Sequence, residues 1–141
     1  MRKLEDSLLL QLLKTRDVVM QYFRPMLQKY GITEQQWRIL EALYEHGELE
    51  PKQLSEICHI LGPSLTGVVN RLENNGYVVR RRPMEDQRRT LIIMTPVARA
   101  FISDLSPEVD AVYQRMRQQL TPELMDQLSE LCQEIEQKNR L

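Results

Sequence analysis

Apolar residues recur at intervals of three and four along most of the chain, which is the spacing of one face of an α-helix. A first helix is predicted over residues 4–30, and Pro25 inside it is expected to introduce a kink. Its apolar stripe, interrupted by one arginine, consists of Leu9, Leu12, Leu13, Arg16, Met20, Phe23 and Leu27. Thr33 and Gln36 have the spacing of a capping box, so a second helix is predicted to begin there and to end at Gly47.

Two further helices are predicted in the middle of the chain, separated by a short break. Pro51 suits the first turn of a short third helix that continues to Cys58. Residues 62–64, Gly-Pro-Ser, are predicted to form a tight break. The fourth helix is then predicted over about 63–75, with Gly76 as its C-terminal cap.

The period of the pattern then changes to that of β-structure. Residues 77–82 and 90–95 are rich in β-branched side chains, and the polar loop 83–89 joins them, so they are predicted to form a β-hairpin. Helices resume after the hairpin, with a kink or a restart expected at 106–107, where Ser precedes Pro. The last helix is predicted to open at Thr-Pro, residues 121–122.

The order helix, short helix, helix, hairpin is that of a winged helix-turn-helix. The fold class is therefore predicted as mainly α, with a small β-hairpin as the wing. A chain of 141 residues suits a single domain, predicted here over 1–141, with a DNA-binding lobe at about 33–96.

The fourth helix has the two faces that a recognition helix needs. Leu65, Val68, Val69 and Leu72 cluster on one side, while the opposite side is small and polar, without a carboxylate. The alternative is an ordinary solvated face, but such faces usually carry Lys–Glu pairs. The residues of this helix predicted to contact DNA are Ser64, Thr66, Gly67, Asn70, Arg71 and Asn74.

Composition excludes several other classes of protein. No apolar run approaches the roughly 20 residues of a membrane helix, and the N-terminus lacks the features of a signal peptide, so we expect a cytoplasmic protein. Two cysteines and two histidines are too few for a disulfide framework or a metal cluster. There is no Gly-rich phosphate loop and no nucleophile–base motif, so neither an enzyme nor a cofactor is expected.

A formal net charge of −1 conceals a basic hairpin. Residues 80–89 contain five arginines and two acids, whereas residues 121–141 contain five acids and two basic residues. A compact basic element on a neutral body suits contact with DNA phosphates. Arg80, Arg81, Arg82 and Arg89 are candidate phosphate contacts, although some can pair with local acids instead. The alternative is a solvated hairpin with scattered charges.

These features resemble the MarR family of transcriptional regulators. The resemblance rests on residues 54–57 and 63–78 of the helix-turn-helix, and on Asp86-Gln87-Arg88, which matches the Asp-x-Arg signature of the family's wing. It extends over essentially the whole chain. It implies a DNA-binding regulator, with the flanking helices, about 4–30 and 96–139, forming the dimerisation region. Gly67 departs from the pattern, since some members have a basic residue there.

The resemblance also assigns roles within a homodimer. A two-fold dimer places its recognition helices about one duplex turn apart, so the operator is expected to be an imperfect palindrome. Arg88 is expected to enter a narrow minor groove, and Asp86 is expected to hold its guanidinium in a fork. The apolar faces of the first, fifth and sixth helices are an independent reason for a partner, because they exceed what one small core can cover.

Within the family, residues 33–38 and 63–67 most resemble regulators of homoprotocatechuate degradation, which implies a repressor released by a small aromatic carboxylate. Arg16 is a candidate anchor for that carboxylate, because arginine can bind it with two parallel hydrogen bonds. The alternatives for Arg16 are a structural salt bridge or a side chain that extends to solvent. The other candidate ligand-binding residues are Tyr22, Phe23, Trp37 and Arg38.

Three alternative functions are consistent with parts of the sequence. The first is a thiol redox sensor, because His59 follows Cys58 and could lower the pKa of its thiol. However, Cys58 lies on the apolar stripe of its helix, and this position favours a buried, inert thiol. A response to another phenolic compound is the remaining regulatory alternative. A pure protein-interaction module would leave the arginine-rich wing unexplained.

Overall fold

The computed structural model describes residues 1–139, which form six α-helices, a short 3₁₀ turn and one β-hairpin. The helices are α1 (Leu8–Lys29), α2 (Glu34–His46), α3 (Pro51–Cys58), α4 (Gly62–Asn74), α5 (Pro96–Leu120) and α6 (Pro122–Lys138). The hairpin consists of β1 (Val78–Arg81) and β2 (Leu91–Met94), and the 3₁₀ turn covers Leu4–Asp6. The predicted mainly α fold with a β-hairpin is confirmed.

Local sequence signals set several helix ends as predicted. The Thr33 hydroxyl accepts from the Gln36 backbone N–H at 3.1 Å, and the Gln36 side-chain oxygen accepts from the Thr33 N–H at 3.0 Å. These two contacts satisfy amides that the first turn of a helix otherwise leaves without partners. Gly47 ends α2 with a φ of 81°, a conformation that disfavours a side chain. At the start of α6, the Thr121 hydroxyl is the N-terminal cap and accepts from the Leu124 N–H at 3.2 Å.

Three predicted boundaries differ from those in the structure. The first α-helix begins at Leu8 rather than at residue 4. Gly62 is the first residue of α4, since the break lies earlier, at His59, which adopts a left-handed φ of 56°. Helices α1 and α5 both continue through a proline, so the restart considered at 106–107 does not occur. Each proline removes one hydrogen bond from its helix. Burial of a neighbouring residue, Met26 beside Pro25 and Leu105 near Pro107, offsets that loss.

The chain divides into two compact units, one comprising residues 27–107 and the other residues 1–26 with the chain from 108 onward. In the unit 27–107, helix α2 packs against α3, α4 and β2. Its fully buried side chains include Ile39, Leu40, Leu43, Leu54, Val69, Leu72, Val78, Ile92 and Leu105. The prediction of one domain with a DNA-binding lobe at about 33–96 stays a prediction, and residues 140–141 lie outside the described residues.

The hairpin is antiparallel, and a third segment pairs with its inner strand. Val78 lies opposite Met94 and Arg81 opposite Leu91. Leu49 bridges Ile92 on the other edge of β2, through two backbone hydrogen bonds of 3.2 and 2.8 Å. This bridge, which the sequence pattern did not predict, holds the segment before α3 against the wing.

The unit 1–26 with 108 onward buries fewer side chains. Phe23 packs edge-on against Tyr113 with their ring centroids 5.4 Å apart, and the Tyr22 hydroxyl donates to Gln119 at 2.7 Å. Helix α6 has no buried residue over its whole described length. The exposed large apolar residues of this unit's helices are Leu8, Leu9, Leu12, Leu13, Val18, Tyr113, Leu124, Leu128, Leu131 and Ile135. These apolar faces are therefore uncovered in the single chain, as the sequence predicted.

Candidate nucleic-acid interface

Helix α4 turns its apolar side inward and its polar side to solvent. Leu65, Val68, Val69 and Leu72 are all buried in the core of the unit 27–107. On the other side, Asn70 and Asn74 are exposed and Gly67 is half-buried. The helical phase predicted for α4 is therefore correct. The expectation of an outer side without a carboxylate is wrong, because Glu73 is exposed three positions from Asn70 and shares Arg80 with it.

The Arg71 guanidinium lies beside Gly67, the position at which some members of the resembled family have a basic residue. Its Nη2 atom is 3.8 Å from the place that a Cβ of Gly67 would occupy. Long side chains on a helix point back toward the preceding turn, which brings residue 71 beside residue 67. A guanidinium is thus present next to Gly67, although it comes from the following turn of the helix.

The tip of the wing carries one strongly exposed arginine held by an aspartate. The Asp86 Oδ1 atom accepts from both the backbone N–H and the Nε–H of Arg88, each at 3.1 Å. These hydrogen bonds hold the pKa of Asp86 below its usual value. A single carboxylate oxygen accepts both bonds, so the expected two-oxygen fork is not formed. The Arg88 side chain is 92% exposed, which leaves its terminal nitrogens accessible to a ligand.

Three of the other wing arginines bind side chains that lie outside the wing. Arg81 donates to Glu48 at 2.8 Å, Arg89 donates to Glu50, and Arg80 donates to both Glu73 and Asn70. Arg82 donates to the Gln87 backbone carbonyl at 2.8 Å, within the wing. The basic charge predicted for the hairpin is therefore partly neutralised, and these arginines orient the wing as well as offering positive charge.

Glu48, Glu50 and Glu73 are residues that the sequence reasoning missed. Glu48 and Glu50 flank Leu49 with the two-residue period of a strand, which is the signal that could have revealed them. That signal is weak in a segment this short. Their partners lie 33 and 39 residues further along the chain, so the pairs form only once Leu49 bridges β2.

Comparison with known proteins shows which family the chain belongs to. The model described as the MarR family matches residues 30–89. The chain is 37% identical over 132 residues to the homoprotocatechuate degradative operon repressor of Escherichia coli, covering 94% of this chain and 89% of that protein. The chain belongs to the MarR family of transcriptional regulators. This establishes a regulator rather than an enzyme.

Two further comparisons cover the MarR-family chain almost completely. It is 39% identical over 129 residues to the HTH-type transcriptional regulator FarR of Neisseria gonorrhoeae, covering 92% of this chain and 88% of FarR. The crystal structure of NadR in complex with 4-hydroxyphenylacetate superposes with a TM-score of 0.82 at 35% identity, covering 93% of this chain and 96% of that one. The winged-helix architecture is therefore shared with solved relatives.

The five candidate ligand-binding residues of this MarR-family regulator fall on both compact units. Arg16, Tyr22 and Phe23 lie on α1 in the unit 1–26, while Trp37 and Arg38 lie on α2 in the unit 27–107. Phe23 and Trp37 are buried, and Arg16 is exposed and engaged with a neighbour. Their role toward a ligand stays a prediction.

Arg38 connects α2 to α3 around the buried cysteine. Its Nη1 donates to the Cys58 carbonyl at 2.6 Å, and its Nη2 donates to Glu34 at 2.8 Å. The Cys58 thiol donates in return to the Arg38 carbonyl at 3.6 Å. These contacts give Arg38 a structural role, because they join α2 to the end of α3.

Cys58 has the environment of an inert thiol. It is 3% exposed, and burial raises its pKa, an effect that the nearby Arg38 guanidinium only partly opposes. Because the thiolate is the reactive form, a raised pKa lowers the reactivity of this cysteine at neutral pH. The burial supports the interpretation of Cys58 as a core residue over that of a redox sensor.

Two features of other protein classes are absent from residues 1–139. None of the helices described there combines the length and the apolar character needed to traverse a bilayer. In the same residues, no three His, Cys, Asp or Glu side chains form a group that could hold a metal ion.

Proposed function

We propose that this MarR-family regulator is a homodimeric repressor of an operon for the catabolism of an aromatic acid, homoprotocatechuate or 4-hydroxyphenylacetate. It binds a palindromic operator with α4 in the major groove and the wing in the minor groove. An aromatic carboxylate then releases it from the DNA. The observation that carries this proposal is the similarity of more than nine tenths of the chain to a repressor named for the homoprotocatechuate operon. The similarity to NadR, crystallised with 4-hydroxyphenylacetate, supports the effector.

DNA binding is attributed to the surface formed by α4 and the wing. Ser64, Thr66 and Asn70 offer hydrogen-bonding groups on the exposed side of α4. The same surface of α4 includes Asn74, Arg71 and the backbone at Gly67. The wing contributes five residues to DNA binding: Arg80, Arg82, Asp86, Arg88 and Arg89. Arg88 is the most exposed of the wing arginines that pair with an acid, and a narrow A·T-rich minor groove attracts such a side chain.

The dimer is attributed to the leucine-rich faces of α1 and α6. Exposed apolar patches of this kind usually mark interfaces between proteins. A second copy of the chain is the natural partner, because most soluble oligomers are symmetric and a two-fold pair matches a palindromic operator.

Release by the effector requires different affinities of the ligand for two arrangements of the dimer. We assign Arg16 to the ligand carboxylate and keep Tyr22, Phe23, Trp37 and Arg38 as the other candidate ligand-binding residues. Arg16 would exchange its present neighbour for that carboxylate. A coupling free energy of about 1–3 kcal/mol would weaken operator binding roughly 5- to 150-fold.

The proposal is tested by fluorescence anisotropy with labelled DNA from upstream of the protein's own gene. Homoprotocatechuate and 4-hydroxyphenylacetate are each expected to raise the Kd of the operator within the roughly 5- to 150-fold range. The control is 4-hydroxyphenylethanol, which keeps the phenol but has an alcohol in place of the carboxylate, and it should have no effect. Equal release by the alcohol would contradict a carboxylate effector, and no release by either acid would contradict the aromatic-acid assignment.

The ligand role of Arg16 is tested by Arg16→Ala and Arg16→Lys, with Arg24→Ala on the same helix as a matched control. Arg16→Ala should still bind the operator but no longer respond to the acid. Arg16→Lys should respond in part, because lysine lacks the planar fork of donors. Calorimetric titration and a melting curve for each variant separate this role from a structural one. Unchanged ligand affinity in a destabilised Arg16→Ala protein would contradict the anchor role.

A further inference from the structure

One guanidinium joins the first wing strand to two residues of the recognition helix. Arg80 on β1 donates from Nη2 to the Asn70 Oδ1 atom at 2.7 Å, and from Nη1 to the Glu73 Oε1 atom at 2.5 Å. Asn70 and Glu73 are three positions apart on α4, so they share one face of the helix. The planar guanidinium therefore spans both partners at once.

This contact determines which end of the Asn70 amide is used. A guanidinium has only donors, so it must face the amide carbonyl and not the NH₂ group. Its other arm donates to the Glu73 carboxylate in a charge-assisted hydrogen bond, so both terminal nitrogens of Arg80 have partners on α4. The carbonyl of Asn70 is thus engaged within the protein, and its NH₂ group remains as a pair of donors.

We propose that Arg80 fixes the Asn70 side chain as a hydrogen-bond donor, so that Asn70 recognises guanine rather than adenine in the major groove. Arg80 acts here as a positioning residue for base recognition. The inference rests on the proposed placement of α4 in the major groove, and it is independent of the effector.

The choice of guanine follows from the base edges. An asparagine that reads adenine needs both ends of its amide, since it accepts from N6 and donates to N7. With its carbonyl held by Arg80, Asn70 cannot make that pair. Guanine presents N7 and O6 side by side, both acceptors, which suits two donors. Asn70 thereby provides a guanine contact on a helix that has glycine at position 67.

The experiment selects bound DNA from a palindromic library with randomised half-sites and sequences it. Wild-type protein is compared with Asn70→Ala, Arg80→Ala and Arg81→Ala. The position read by Asn70 is the one at which Asn70→Ala loses its base preference. There, wild-type protein should prefer G·C over A·T by about fivefold or more, the lower end of what a good base contact provides.

Arg80→Ala is expected to shift this one position from G·C toward A·T, because the freed amide can then turn and pair with adenine. Arg81→Ala is the matched control, since it removes the same charge from the same strand but contacts Glu48 and not α4. It should weaken binding equally across sequences and leave the G·C preference intact. In an Asn70→Ala background, Arg80→Ala should change no base preference at that position.

Several outcomes would overturn the inference. These are a wild-type preference for A·T at the Asn70 position, retention of G·C by Arg80→Ala, or no change of any position in Asn70→Ala. Circular dichroism checks that each variant is folded. If Arg80→Ala is not, Arg80→Lys serves, because lysine is shorter and lacks the planar fork whose two nitrogens bind Asn70 and Glu73, so it should give a partial shift. Failure to enrich any sequence would overturn both this inference and the proposed operator recognition, whereas failure of the acids to release DNA would affect only the effector.

Discussion

The two compact units of this regulator treat their apolar residues in opposite ways. In the unit 27–107, leucines on α2, α3 and α4 such as Leu40, Leu54 and Leu72 are fully buried within the chain. In the other unit, α6 carries four large apolar residues at helical spacing, Leu124, Leu128, Leu131 and Ile135, and all four are exposed. Apolar residues at helical spacing are therefore buried in a core in one unit and exposed on a helix face in the other.

The charged residues of the unit 27–107 also find their partners within that unit. In the unit 27–107, wing arginines are paired with acids of the same unit, such as Arg81 with Glu48 and Arg80 with Glu73. These pairs are partly exposed, so each contributes little to stability, but together they orient the wing relative to α4. The unit 27–107 is thus organised by contacts within the chain, whereas the unit 1–26 with 108 onward has apolar faces that the chain leaves uncovered. The predictions below test that contrast, from the largest expected effect to the smallest.

The largest effect is expected from placing a charge on the uncovered face of α6. Leu128→Glu should dissociate the dimer, because an unpaired carboxylate is costly to bury in an apolar interface. A monomer binds only one half-site, so operator binding should weaken about 100-fold or more. The measurements are sedimentation velocity and operator anisotropy.

Gln133→Glu is the control for Leu128→Glu, because it adds the same charge on the opposite side of α6. It should stay dimeric and bind the operator normally. A monomeric wild-type protein, or a Leu128→Glu protein that remains dimeric, would show that the uncovered face serves some other purpose.

A smaller effect is expected at the tip of the wing. Arg88→Ala should weaken operator binding and lower the slope of log Kd against log salt concentration by about one unit for each phosphate that the wing no longer neutralises. It should also reduce the preference for A·T pairs beneath the wing, since a minor-groove arginine senses groove width. The control is Arg115→Ala, because Arg115 is exposed on α5 in the unit 1–26 with 108 onward, and it should leave the slope unchanged. An unaltered slope in Arg88→Ala would remove the wing from the interface.

The smallest effect concerns the two cysteines, one in each unit. Cys58 is buried with a raised pKa, whereas Cys132 on α6 is exposed. Iodoacetamide at neutral pH should therefore modify Cys132 and leave Cys58 unmodified, as read by peptide mass spectrometry. Guanidinium chloride is the control, because both cysteines should react once the protein unfolds. Rapid alkylation of Cys58 in the folded protein would reopen the redox interpretation.

Local interactions explain which parts of the fold were predictable. The capping box of Thr33 and Gln36 and the cap at Thr121 involve residues three positions apart, so their spacing in the sequence is enough. The inward side of α4 was equally predictable, because its four apolar residues can share only one face of a helix. The Asp86–Arg88 contact likewise joins residues two positions apart.

The restart that the sequence suggested at Pro107 is wrong because local rules omit packing. Pro107 follows Ser106, a pair that commonly starts a helix, yet α5 runs through it without interruption. Buried residues on both sides, Leu105 and Val112, hold the helix together across the missing hydrogen bond. A propensity read from the sequence has no access to that packing.

By itself, then, the sequence determined the order of elements, the two faces of α4 and the family, because these depend on contacts between near neighbours and on motif spacing. The tertiary structure decided which charges the wing presents. Arg80 meets Asn70 and Glu73 because β1 packs against α4, and Arg89 meets Glu50 because the segment around Leu49 pairs with β2. Partners up to 39 residues apart come together through the register of strands, which fixes the direction of every side chain on them.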